Sequence, residues 1–169
     1  MSIMRYLILT LILSLPVPAL ADIVTRLKEL EGFSATAYKP VDTEEHYTIG
    51  YGHYGPDVSV DDTITEEEAT VLLLKDIEIR QVEIRKAITV YDSLSEQLQI
   101  ELMQSWFRGG LVGSPITISF INDCRFDEAA AEFLRNKEYQ TTTLLGVKTR
   151  MEAVAQALLE ETSTCLAYP

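Results

Sequence analysis

The stretch from Glu31 to His53, EGFSATAYKPVDTEEHYTIGYGH, constrains this chain more than any other part. Just upstream, Ile23, Leu27 and Leu30 fall at helical spacing and Gly32 is a stop signal. A first helix is therefore expected from Asp22 to Gly32, with Glu31 in its last turn. Downstream, Phe33 to Tyr38 and Tyr47 to Tyr54 read as extended segments of a small antiparallel sheet. Pro40 and the polar run Asp42 to Glu45 make the turn between them. One helix end and one hairpin thus deliver Glu31, Asp42 and Thr48 to one neighbourhood. Glycosidic bond hydrolysis needs such a set: one carboxylic acid protonates the leaving oxygen, and a second carboxylate on the opposite face activates water.

The rest of the chain reads as helices. Thr65 with Glu68 fits a capping box, and Leu73, Ile77, Ile84 and Ile88 form one stripe, so a long helix is expected from Thr65 to about Ile88. Ser93 with Glu96 repeats the capping pattern ahead of Leu94, Leu98, Met103, Trp106 and Phe107. Asp127 opens another helix with Ala130, Phe133 and Leu134 apolar. Val147, Met151, Val154, Ala155, Leu158 and Leu159 form the last. The expected class is α+β, mainly helical with one small sheet.

Each polar candidate also has a plainer reading. Glu31 could be a solvated carboxylate, but a helix C-terminus disfavours negative charge, so placing it there without a purpose is slightly destabilising. A general acid must hold its proton, which partial burial of a carboxyl favours. Asp42 could be a turn residue bonding its own backbone, and Thr48 an ordinary strand threonine. Glu44 and Glu45 are the reserve carboxylates. Gly50 and Gly52 permit close approach of backbone or sugar. Strand alternation would put Tyr47, Tyr51 and Tyr54 on one face, to stack on sugars or to pack. His53 reads as a structural hydrogen-bonding histidine rather than a base. No metal-binding or nucleotide-binding motif is present, and no cofactor is expected.

The segment resembles the active-site region of the phage-type lysozymes, the muramidases of glycoside hydrolase family 24. The matching pieces are Glu31-Gly32, Asp42 and Thr48-Ile49-Gly50-Tyr51-Gly52-His53. Ten residues separate Glu31 from Asp42, two more than is usual in the family, and the extra pair is placed at Pro40-Val41. SWFRGG at Ser105 to Gly110, Phe126-Asp127-Glu128-Ala129-Ala130 and Gly146 to Glu152 resemble the family more weakly. The Arg-Gly-Gly and Ser114-Pro115 pieces are similar to the muramidase domain of pesticin-like bacteriocins. The resemblance implies a lysozyme-like fold of two lobes joined by the helix at about 65–88. It further implies Glu31 as acid, Asp42 as base, Thr48 as the hydroxyl that positions water, and inversion at the anomeric carbon. Phe107 and Arg108 would face the cleft from the second lobe, joining Tyr47, Gly50, Tyr51 and His53 as glycan contacts. Arg150 would pair with Glu31 or another acid. Peptidoglycan strands are the implied partner and a monomer the expected state. The rivals are a lytic transglycosylase, which needs only the acid, and a catalytically inactive module that binds glycan or protein.

The N-terminus reads as an export signal. Arg5 supplies a positive start, Leu7 to Leu15 a short apolar run, and Ala19-Leu20-Ala21 a cleavage pattern. Residues 1–21 are thus expected to be removed, leaving a domain of residues 22–169 in the periplasm or medium, without a membrane anchor. The alternative is a retained N-terminal anchor. In an exported protein Cys124 and Cys165 are expected to pair. The net charge of −12 becomes −13 once Arg5 is removed. That charge argues against nucleic-acid binding and gives no attraction to anionic walls.

Overall fold

The computed structural model describes residues 17–41 and 43–162, with side chains from Leu20 onward. The expected signal region up to Pro16, Asp42 and Cys165 lie outside the described residues.

Helix α1 spans Val17–Glu31. It starts earlier than Asp22 because nothing in Val17–Ala21 breaks a helix. Pro18 falls in the first turn, where its missing N–H costs nothing, and Ala19-Leu20-Ala21 are good helix formers. The expected cleavage pattern therefore lies inside α1. Gly32, at φ 70°, ends the helix and donates its N–H to the Lys28 carbonyl at 3.2 Å.

The sheet is antiparallel, in the order β1 (Ser34–Tyr38), β2 (Tyr47–Gly50), β3 (His53–Gly55). Tyr47 to Tyr54 is thus not one extended segment. Gly50 and Gly52 have φ of 63° and 86°, and the chain reverses through Tyr51 between them. Tyr47 pairs with Gly55, Thr48 with Tyr54 and Ile49 with His53. Tyr54 consequently shares a face with Thr48, Tyr47 takes the opposite face, and Tyr51 sits at the turn. The single tyrosine face expected from alternation does not form. The outer edge of β1 is covered by the 62–64 segment: the Ala37 N–H donates to the Asp62 carbonyl at 3.0 Å and the Ile64 N–H to the Ala35 carbonyl at 2.9 Å.

Helix α2 (Glu66–Ala87) carries the capping box read from Thr65 and Glu68, and it buries Leu73, Ile77 and Ile84. A 3-10 turn at Tyr91–Ser93 leads into α3 (Glu96–Phe107). Ser95, not Ser93, caps α3. The Ser93 hydroxyl donates back to the Val90 carbonyl, while the Ser95 hydroxyl accepts the Leu98 N–H. Then follow α4 (Pro115–Asn122), α5 (Phe126–Phe133), α6 (Lys137–Thr141) and α7 (Leu145–Glu160). Neither α4 nor α6 was expected.

Helix α3 is the hub, packed on α1, α2 and α7, while α5 packs on α4 and α7. Every residue from Leu98 to Trp106 is buried, so α3 is enclosed on all sides. Its apolar members, among them Leu98, Leu102 and Met103, belong to one core that includes Ile23 and Leu27 of α1 and Met151 of α7. Its polar members Gln99, Glu101, Gln104 and Ser105 must then find partners inside the protein, because an unpaired buried polar group is costly.

Candidate active site

Glu31 is the last residue of α1, and its side chain is 19% exposed. Its Oε1 accepts a hydrogen bond from Nη2 of Arg150 on α7 at 2.8 Å. Oε2 faces the β2–β3 turn. A Cβ built on Gly52 would lie 3.6 Å from Glu31 Oε2 and 3.8 Å from Phe107 Cε1. The end of α1, the hairpin turn and the end of α3 therefore meet at one point. A backbone without a side chain is what allows the turn to come so close.

Beside that point, Gly52, His53, Tyr54, Asp76, Arg80 and Phe107 line an open cleft of about 170 Å³. His53 Nδ1 sits 2.8 Å from an Asp76 oxygen and Nε2 sits 3.2 Å from Asp57. Burial would lower the His53 pKa, but the hydrogen bonds and charges of Asp76 and then Asp57 outweigh it and raise the value above the ordinary one. The bond to His53 holds the Asp57 carboxyl below its ordinary range. His53 thus ties Asp76 and Asp57 together at the cleft edge.

The remaining candidates are placed as follows. Thr48 lies on the middle strand and is buried. Tyr51 is 5% exposed, its ring against Phe33 and its hydroxyl donating to Glu66 at 2.7 Å, so it holds the turn down onto α2. Tyr47 lies under the Lys39 ammonium. Tyr54 is largely exposed and packs on the His46 ring. Gly50 backs onto Ala69 of α2. Arg108, just past α3, is gripped by both oxygens of Glu138 on α6 at 2.7 and 2.9 Å, which raises its own pKa and lowers that of Glu138. Glu44 is half-buried and Glu45 exposed. Among the described residues no cluster of three or more acidic, histidine or cysteine side chains could hold a metal ion, and no helix is long and apolar enough to cross a membrane.

Sequence reading missed Asp76 and Asp57, the partners of His53, and Gln104, which contacts Arg150. The signal for Gln104 was a polar residue within an otherwise enclosed helix, three positions before Phe107. For Asp76 and Asp57 no local pattern exists, since the contacts join the hairpin to α2 and to a loop.

Residues 28–153 match the family model for phage lysozyme. An endolysin of Bacillus phage B103 is 34% identical over 122 residues, covering 66% of this chain and 43% of the relative. An endolysin of Bacillus phage PZA is 38% identical over 114 residues, with the same two shares. An endolysin of Lactococcus phage c2 is 51% identical over a shorter 51 residues, 30% of this chain and 22% of the relative. The chain spans less than half the length of these curated relatives.

Proposed function

This chain belongs to the phage lysozyme family, and from that membership and the site geometry we propose that it is an exported muramidase. It hydrolyses the β-1,4 bond between N-acetylmuramic acid and N-acetylglucosamine in peptidoglycan. The observation that carries this reading is the meeting of Glu31, Arg150, Gly52 and Phe107 beside an open cleft. A carboxyl there has one oxygen fixed by a guanidinium and the other turned toward the hairpin. Glu31 delivers its proton to the leaving oxygen. Asp42 activates water on the opposite face and the Thr48 hydroxyl positions it, with inversion of the anomeric carbon. Such a mechanism needs roughly 6.5–9.5 Å between the two carboxyl groups. Phe107 and Arg108 line the glycan path, while Tyr47, on the other face of β2 from Thr48, and Gly50, Tyr51 and His53 shape the hairpin beside it. The reaction uses no cofactor, and the protein acts as a monomer.

Glu31→Gln keeps the shape and removes the proton donor. Turnover of purified peptidoglycan should fall by about 10²–10⁴-fold, the usual worth of general acid–base catalysis. Asp42→Asn should also fall sharply. The wild-type digest should carry ordinary reducing muramic ends. Anhydromuramic ends, with Asp42→Asn still active, would assign the protein to the transglycosylases instead.

The reading includes export with removal of residues 1–21 and pairing of Cys124 with Cys165. Cleavage after Ala21 would shorten α1 yet keep the buried Ile23 and Leu27. The intact mass of the exported protein tests both points. It should begin at Asp22 and be lighter by two hydrogens than the fully reduced chain. A retained N-terminus or two free thiols would refute the corresponding part.

A further inference from the structure

Behind the Glu31–Arg150 pair lies a chain of polar groups, buried on α3, that ends at Arg26, five residues before Glu31 on α1. The Arg150 guanidinium donates through Nε to the Gln104 side-chain oxygen at 2.9 Å, and through Nη2 to the Gln104 carbonyl at 3.2 Å. The Gln104 amide nitrogen in turn donates to the Arg150 carbonyl at 3.1 Å and to Glu101 Oε2 at 3.2 Å. Glu101 is 4% exposed and Gln104 1%. Glu101 also takes a long contact from the Gln97 amide and pairs with Arg26 of α1, whose Nε lies 3.2 Å from Oε1.

The polarity of this chain has one solution. Gln104 can point either its oxygen or its nitrogen at Arg150. Arg150 Nε is a donor only, and Glu101, when ionised, is an acceptor only. With an acceptor-only carboxylate and the Arg150 carbonyl at one end of the amide, the oxygen must turn to the guanidinium. Arg150 Nε and the Arg150 carbonyl thus set which way the Gln104 amide faces, Glu101 takes the second amide hydrogen and holds the amide in place, and Gln104 fixes the plane of Arg150. Stability alone would not require this. A partly buried ion pair such as Arg26–Glu101 is weak evidence of a stabilising role, since apolar residues of the same volume often serve as well inside a protein.

We propose that Gln104 is a positioning residue for Glu31, and that Glu101, anchored by Arg26, is the group that holds the Gln104 amide in place. The proposal rests on Glu31 being the acid, as argued above. Gln104 touches no substrate. It sets the guanidinium against which the Glu31 carboxyl is aimed, so its loss acts through a misdirected acid rather than through glycan binding.

The test uses the full chain and soluble uncross-linked peptidoglycan strands. Replacing the ion pair by apolar residues, R26M/E101L, should lower the thermal midpoint somewhat, since one Gln104 N–H loses its partner, while kcat falls by about tenfold or more and KM stays put. A loss confined to kcat marks an interaction used in the transition state, and small misplacements of reacting groups cost rates of this order. Q104M should show the same split. E101Q, isosteric with the native residue, keeps the test alive if the double variant does not fold. It should show the same fall in kcat with KM unchanged, accompanied by loss of solvent-exchange protection at the Arg150 side-chain N–H. Full kcat in folded R26M/E101L or E101Q, with E31Q inactive, overturns this inference and leaves the lysozyme reading intact. An active E31Q overturns that reading instead, and this inference with it.

Discussion

His53 makes the hold of the hairpin on α2 depend on pH. Its two ring nitrogens face Asp76 and Asp57, with the cleft on one side. The folded-state pKa of His53 is raised, so the stability it contributes is fully present below its unfolded value of about 6.5 and is lost as pH rises through the folded value. Asp57 runs the other way. Its folded pKa is lowered, so its contribution is present above the unfolded value of about 3.9 and is lost as pH falls through the folded one. The cluster should therefore hold the hairpin on α2 best in mildly acidic solution, and denaturant midpoints measured between pH 5 and pH 9 should decline on the alkaline side. Asp76→Asn should flatten that alkaline decline. A wild-type curve that rises steadily through this range would remove His53 from the account.

At the scale of elements, the hairpin and α2 depend on one contact that a side chain would spoil. Gly50 has φ 63°, and a Cβ built on it would lie 3.0 Å from the Ala69 Cβ. Gly50→Ala should cost about 1–2 kcal/mol for the left-handed backbone alone, and more because Ala69 is buried and cannot move away freely. Thermal unfolding of the variant reads this directly, and a midpoint equal to wild type would mean that β2 does not pack on α2 as described. Gly50 and Gly52 were visible in the sequence as backbone features, yet the strand break they cause was not. Alternation of tyrosines and glycines looks like one strand until the positive φ values are known. The elements that were legible are those with a clear apolar period, with or without a cap. Thr65 with Glu68 announced α2, and the long apolar stripe of α7 announced the last helix. Helix α4 carries a threonine, a serine and an asparagine among its apolar residues, and α6 is a single polar turn, so neither offers a stripe to read. The candidate acid was legible because helix end, glycine and hairpin are neighbours in sequence. Arg150 was expected to pair with Glu31 or another acid, and it does, 119 positions away. Gln104 was not legible, because it meets Arg150 only through the packing of α3 on α7.

The whole molecule carries a net charge of −12, and the candidate site does not reverse that field locally. Three guanidinium groups near the cleft are already paired: Arg80 with Glu83, Arg108 with Glu138 and Arg150 with Glu31. If the substrate is an intact anionic wall, approach is then opposed rather than steered by electrostatics. Salt screens such repulsion, the Debye length falling from about 30 Å at 0.01 M to about 8 Å at 0.15 M. Clearance of purified anionic walls should therefore speed up across that range, opposite to the behaviour of a basic enzyme on the same walls. Cleavage of neutral N-acetylglucosamine oligomers should change little, since no long-range force acts on them. Measuring both substrates separates approach from chemistry. If wall clearance slowed with salt while the neutral oligomers were unaffected, a local positive surface would have to guide the glycan despite the overall charge, and the paired arginines at the cleft would be the first groups to re-examine.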